Sequence, residues 1–196
     1  MDATNVLVAV VGIAGTLGAA VFTQYAAIRQ KRLDAENQRE VRAEDRRESV
    51  RTAKQALYVD LNDAARTYRT VGHDYLVEKI HGREQGDLKR IEIERVRYRT
   101  VYSQAQMVLP DRALKVATEV NECLGYSYRA IHDVAVGSSP LIAAEDLHRW
   151  YDGALSDAVK LLRQVLREDL GVTERSTDIE SILQNLRKSR SNLWPD

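Results

Sequence analysis

The chain has 196 residues, 29 Lys+Arg against 29 Asp+Glu, and a single cysteine, Cys123. The balanced charge argues against a dedicated nucleic-acid binder, which normally carries a basic domain. One cysteine rules out an internal disulfide framework and fits a reducing compartment. Only three prolines, Pro110, Pro140 and Pro195, interrupt a composition rich in Ala, Leu, Glu, Arg and Gln, which favours long helices.

Residues 1–5 form a short tail with one negative side chain, Asp2. The stretch Val6–Ile28 then runs without a charge and is followed at once by Arg29, Lys31 and Arg32. A bilayer core needs roughly 20 apolar residues in helix, so residues 6–28 are predicted to be a transmembrane helix. A secretory signal peptide would need a positive n-region, which is missing here. A buried core helix is the remaining rival. Positive residues stay inside, so the tail is expected outside the cell and residues 29–196 in the cytoplasm of a single-pass protein at the cell membrane. Gly12, Gly15, Thr16 and Ala19 fall on one face of the span, a small-residue stripe of the kind that lets membrane helices self-associate.

Residues 29–54 hold nine basic and six acidic side chains and no stripe of apolar ones. A helix that is polar all round reads as a solvent-bridging stalk, and pairs such as Arg32–Glu36 and Glu44–Arg47 support it. From residue 55 the pattern turns amphipathic. Leu57, Leu61, Ala64, Tyr68, Val71 and Tyr75 recur at spacings of three and four, and this helix should end before Gly82. A second helix carries Leu88, Ile91, Tyr98, Tyr102 and Ala105 and stops near Pro110. A third, from Asp111, carries Leu114, Ala117, Val120, Leu124 and Ile131. A fourth is expected to start with Ser139 as cap and Pro140 as first residue, to run through Leu147, Tyr151, Ala158 and Val165, and to stop at Gly171. Thr177 and Glu180 form a capping box for a last helix with Ile179, Ile182, Leu183 and Leu186. Residues 193–196 are a tail in which Trp194 is the one side chain suited to docking. No segment alternates with period two. The fold class is therefore all-α: a transmembrane helix continuing into a charged helical stalk, then an antiparallel four- to five-helix bundle over 55–192. Its interior should hold Tyr68, Tyr75, Tyr98, Tyr102 and Tyr151, whose hydroxyls need partners when buried.

Among the chemistry-bearing residues, no nucleotide-binding, hydrolase or zinc-peptidase motif occurs. Cys123, beside Leu124, reads as a small core residue. Glu78-x-x-His81 and Glu145-x-x-His148 are two Glu-x-x-His pairs, the spacing that di-iron carboxylate bundles use. Glu92 or Glu94 and Glu119 or Glu122 would have to complete such a site. With 14 Glu and four His in the chain, two such pairs also arise by chance, so this membrane-tethered di-metal enzyme is the alternative and not the leading reading. Arg95, Arg97 and Arg99, interleaved with Tyr98 and Tyr102, form a basic aromatic stripe. A bundle helix with a solvated arginine face explains it better than single-stranded nucleic acid does.

The stretches VVGIAGTLGAAVFTQ at Val10–Gln24 and RQKRLDAENQRE at Arg29–Glu40 resemble, in layout and composition, small actinobacterial single-pass membrane proteins of the plasmid-spread, KilB-like type. That resemblance implies a role in plasmid transfer or an envelope-associated complex, and carries no functional residue with it. The leading expectation is a non-enzymatic, cofactor-free interaction module at the cytoplasmic face of the membrane. Its expected partners are the lipid bilayer, itself through the span, and a cytoplasmic protein, but not nucleic acid.

Overall fold

The computed structural model describes the backbone of residues 3–82, 87–136, 142–174 and 178–194, and the side chains of 30, 37–82, 87–135, 142–174 and 178–194. Among the described residues the chain is all-helical, with α1 Ala3–Ile80, α2 Leu88–Ala105, α3 Asp111–Val136, α4 Ala144–Asp152, α5 Ala154–Asp169 and α6 Ile179–Leu193. Two compact units divide at Thr52 and Ala53. In the first, the described side chains are all exposed, as a helix without an apolar stripe requires. No described helix is long and apolar enough to cross a membrane. The side chains of Val6–Ile28, including the Gly12, Gly15, Thr16 and Ala19 stripe, lie outside the described residues.

The second unit is a helical bundle built on the C-terminal part of α1. Side-chain pairs set the direction of each helix. Tyr102 bonds Thr118 while Arg95 stacks on Tyr128, so α2 and α3 run antiparallel. Arg112 pairs with Glu168 near the start of α3, and Ser127 accepts from Trp150 further along, so α3 opposes α4 and α5. Lys115–Glu180 and Glu119–Arg187 advance together, so α3 and α6 are parallel, as an up-down-up-down-up order demands.

The core forms where the apolar period points. Leu61, Ala64, Ala65, Leu76, Ile91, Val116, Val120, Leu147, Leu155 and Leu162 are buried. So are the five expected tyrosines and, beyond them, Tyr58, which donates to Asp169 Oδ2 at 2.6 Å. Two acidic side chains are buried as well. Glu119 accepts from Arg187 and Arg190, each at 2.6 Å, and Glu168 accepts from Arg112 at 3.0 Å. Such pairs satisfy charges that would otherwise be costly to bury.

Three local expectations change. The fourth helix is two helices: Gly153 has φ −93° and ψ −103°, so the chain breaks there, at a residue with poor helix propensity. Its start is Ala144, with Ala143 as a cap that makes no side-chain bond; Ser139 and Pro140 lie outside the described residues. The last helix is capped by Asp178, which accepts from Ser181 N at 3.3 Å, while Glu180 turns to Lys115 at 2.7 Å; Thr177 lies outside the described residues. The stop after α5 is as expected. Gly171 has φ +72°, and the bonds Gly171 N→Glu168 O and Val172 N→Arg167 O close a Schellman motif. Trp194 docks edge-on to Trp150 at 5.3 Å and beside Tyr126 at 5.5 Å.

Candidate functional sites

Two places in the bundle collect chemistry. The first is a cleft of about 390 Å³ where α1, α2 and α3 meet, lined by Tyr68, Arg95, Tyr98, Arg99, Tyr128 and Arg129 among others. The helix period brings these residues together. Tyr98 and Arg95 stand three apart on α2, Tyr128 and Arg129 rise from α3, and Gly125 leaves the wall between them open, with no atom near the position a Cβ would take. Arg95 is held by a bidentate pair with Glu92, at 2.8 and 2.7 Å, and its guanidinium lies 4.3 Å from the Tyr128 ring centre. That pair keeps the Glu92 carboxyl below its ordinary range, the Arg95 hydrogen bond being the main cause. Arg99 and Arg129 form no direct ion pair among the described residues, although the Arg99 charge helps hold the Glu92 carboxyl down and Arg129 covers the Tyr126 ring at 4.3 Å. The buried hydroxyls of Tyr68 and Tyr98 make no hydrogen bond among the described residues. Burial pushes both phenols well above their ordinary range, so they stay neutral donors. Two exposed guanidinium groups without a direct ion pair, at the rim of a tyrosine-lined cleft, make a site suited to an anion.

The second place is on the α1–α4 face, where His73, His148 and Asp152 each offer a ligand atom and all three lie within 4.8 Å of one another. His73 Nε2 is 3.0 Å from Asp152 Oδ1, and His148 Nδ1 is 3.6 Å from Asp152 Oδ2. The two imidazoles face each other at 4.9 Å. Close helix contact sets this geometry: Gly72, just before His73, leaves room for the ring of buried Tyr151, and Arg69 donates to the Tyr151 carbonyl at 3.1 Å.

The di-metal set suggested by the Glu-x-x-His pairs is not what gathers here. Of its members only His148 joins a three-residue group among the described residues. His81 is exposed, its Nδ1 2.7 Å from Val77 O on its own helix, and Glu145 is exposed in the first turn of α4; Glu78 is half-buried. The carboxylates that would complete the set are committed elsewhere: Glu92 to Arg95, Glu94 to Arg97, Glu119 to Arg187 and Arg190, and Glu122 to Arg190. In the basic stripe, Arg97 is tied to Asp63 at 2.8 Å, whereas Arg95 and Arg99 turn to the cleft. Cys123 is fully buried, and burial pushes its thiol up to about 12, so it is an inert core residue.

His148 stands out in the sequence through its Glu-x-x-His pair, and its partners do not. His148-x-x-x-Asp152 is one helical turn and was visible, whereas His73 arrives from another helix. Arg129 and Tyr128 were likewise unremarkable until α3 packed beside α2. Comparison with protein-family models, with characterised proteins and with solved structures gives no match.

Proposed function

We propose that the chain is a non-enzymatic, membrane-tethered adaptor whose helical bundle holds an acidic segment of a protein partner in the Tyr68–Arg95–Arg99–Arg129 cleft. The observation that carries this reading is the pair Arg99 and Arg129, two cations that form no direct ion pair among the described residues and that line one cleft with Tyr68, Tyr98 and Tyr128. The volume, about 390 Å³, suits one or two side chains. The formal net charge of zero disfavours a polyanion that needs a long basic track.

In this reading residues 6–28 span the bilayer with the N-terminus outside, and residues 29–54 are the stalk. The Gly12, Gly15, Thr16 and Ala19 face would pair spans, which brings several clefts together and raises avidity for a multivalent partner. The likeness in layout to KilB-like proteins supports a place in an envelope-associated complex.

The test is titration of the full chain in nanodiscs with a labelled oligoglutamate peptide. Binding should weaken with salt, and Arg99→Glu and Arg129→Glu should each lower affinity by about tenfold or more, since a hydrogen bond to a charged group contributes about 1.5–3 kcal/mol. Equal binding by wild type and both variants would overturn the proposal. Preference for a single-stranded oligonucleotide over the peptide would do so too.

A further inference from the structure

We propose that His73, His148 and Asp152 bind one divalent transition-metal ion of the zinc type, which clips α4 onto α1. The site is separate from the Arg/Tyr cleft and does not depend on the adaptor reading.

Three observations converge. The first is donor chemistry. Two imidazole nitrogens and one carboxylate are a common zinc set, with a fourth position left for water. His148 and Asp152 sit four apart on α4, so one helical turn presents both to the same point, and His73 closes the site from α1. The second is spacing. Metal bonds of about 2.0–2.1 Å in tetrahedral geometry place donor atoms about 3.3 Å apart. His73 Nε2 lies 3.0 Å from Asp152 Oδ1 and His148 Nδ1 3.6 Å from Asp152 Oδ2, so the two histidines meet different oxygens of one carboxylate, and one donor atom from each of the three residues lies within 4.8 Å of the others.

The third is an unspent buried nitrogen. His73 Nε2 is shielded from solvent and makes no aligned hydrogen bond among the described residues, although a carboxylate oxygen lies 3.0 Å away. A proton on that nitrogen would be expected to align with the oxygen. The in-plane direction of Nε2 therefore falls beside the carboxylate oxygen, where a cation held by both groups would sit. On the other side of the ring, Asp74 Oδ1 stands 3.6 Å from His73 Nδ1, outside hydrogen-bond distance. His73 and His148 are about a quarter exposed, so an ion has a path in. The packing of Tyr151 into the gap at Gly72 fixes the distance between the two helices.

The experiment strips the purified full chain with a chelator and titrates it with Co²⁺, then displaces the cobalt with Zn²⁺. The expected result is one equivalent per chain, visible ligand-field bands of the intensity that marks four or five ligands, and a thermal transition raised by metal in wild type. His73→Ala and His148→Ala should each weaken binding by at least about tenfold and remove the metal-dependent thermal shift, while keeping the metal-free transition of wild type. Glu78→Gln, His81→Ala and Glu145→Gln should leave the bands and the affinity unchanged. Absence of stoichiometric binding, binding that survives both histidine changes, or loss of the bands in Glu78→Gln, His81→Ala or Glu145→Gln would each overturn the assignment.

Discussion

Replacing Gly72 by Ala tests how tightly α1 and α4 are packed. In a helix interior the change alone should stabilise, because Ala exceeds Gly by about 0.8–1.0 kcal/mol in propensity. Here the new methyl would sit 2.6 Å from Tyr151 Oη and 2.9 Å from two of its ring carbons. Tyr151 is 1% exposed, so the ring has no solvent to swing into, and overpacking a filled core costs about 1–3 kcal/mol. The expected net is a loss of about 1 kcal/mol, seen as a fall of about 2–4 °C in Tm for a chain of this size. In a Tyr151→Leu background the ring is gone and the methyl meets space. There Gly72→Ala should stabilise by about 0.5–1 kcal/mol, because only the propensity difference remains. Urea unfolding of the full chain, followed through the fluorescence of Trp150 and Trp194, measures both backgrounds. The reversal of sign is the result that matters. The same destabilisation in both backgrounds, or a gain in wild type, would refute the close-contact argument.

Other expectations follow from the same packing. Arg190→Ala leaves buried Glu119 with only the more exposed Arg187 and removes a cation over Tyr126. Breaking a buried pair costs about 3–5 kcal/mol, and the surviving partner should hold the loss near about 3, measured by the same urea series. Gly125→Leu should raise stability by up to about 1 kcal/mol through helix propensity, since nothing lies near the added carbon. It should also block oligoglutamate binding by filling the cleft, and unchanged binding would place the ligand elsewhere. Alkaline pH should unfold the bundle. Burial raises the Tyr58, Tyr68, Tyr98 and Tyr151 phenols above their ordinary value, so the unfolded chain releases these protons first. The stability they contribute is complete below about pH 10 and is lost as pH rises toward the folded values. Thermal scans at steps from about pH 9 to about pH 11 should show a falling transition, with phenolate absorbance appearing together with unfolding. Phenolate formation before any loss of helix would contradict the burial.

Helix positions were legible where one face repeats cleanly. Leu61, Tyr68, Val71 and Tyr75 announce α1, and Gly171 announces the end of α5, because the forces involved are local. The break at Gly153 was hidden, since apolar residues keep helical spacing on both sides of it. Asp178 caps α6 by accepting from Ser181 N; Thr and Asp are both competent caps, so adjacent residues of these two types leave the first turn open by one position in the sequence. For the sites the limit was distance along the chain. Glu-x-x-His pairs advertise themselves within one turn, yet long-range ion pairs claim Glu119 and Glu122, and His81 sits at an exposed helix end. The His73–His148 contact and the Arg99–Arg129 cleft exist only once α1 meets α4 and α2 meets α3.

Protease protection tests the proposed tethering, with the bundle on the cytoplasmic side of the membrane. Inside-out vesicles carrying the full chain should resist alkaline extraction. On protease treatment they should lose residues beyond the stalk and retain a fragment covering 6–28, while right-side-out vesicles keep the chain intact. Release of the chain by alkaline washing, or cleavage of the bundle only in right-side-out vesicles, would rule out a cytoplasmic bundle on a membrane anchor.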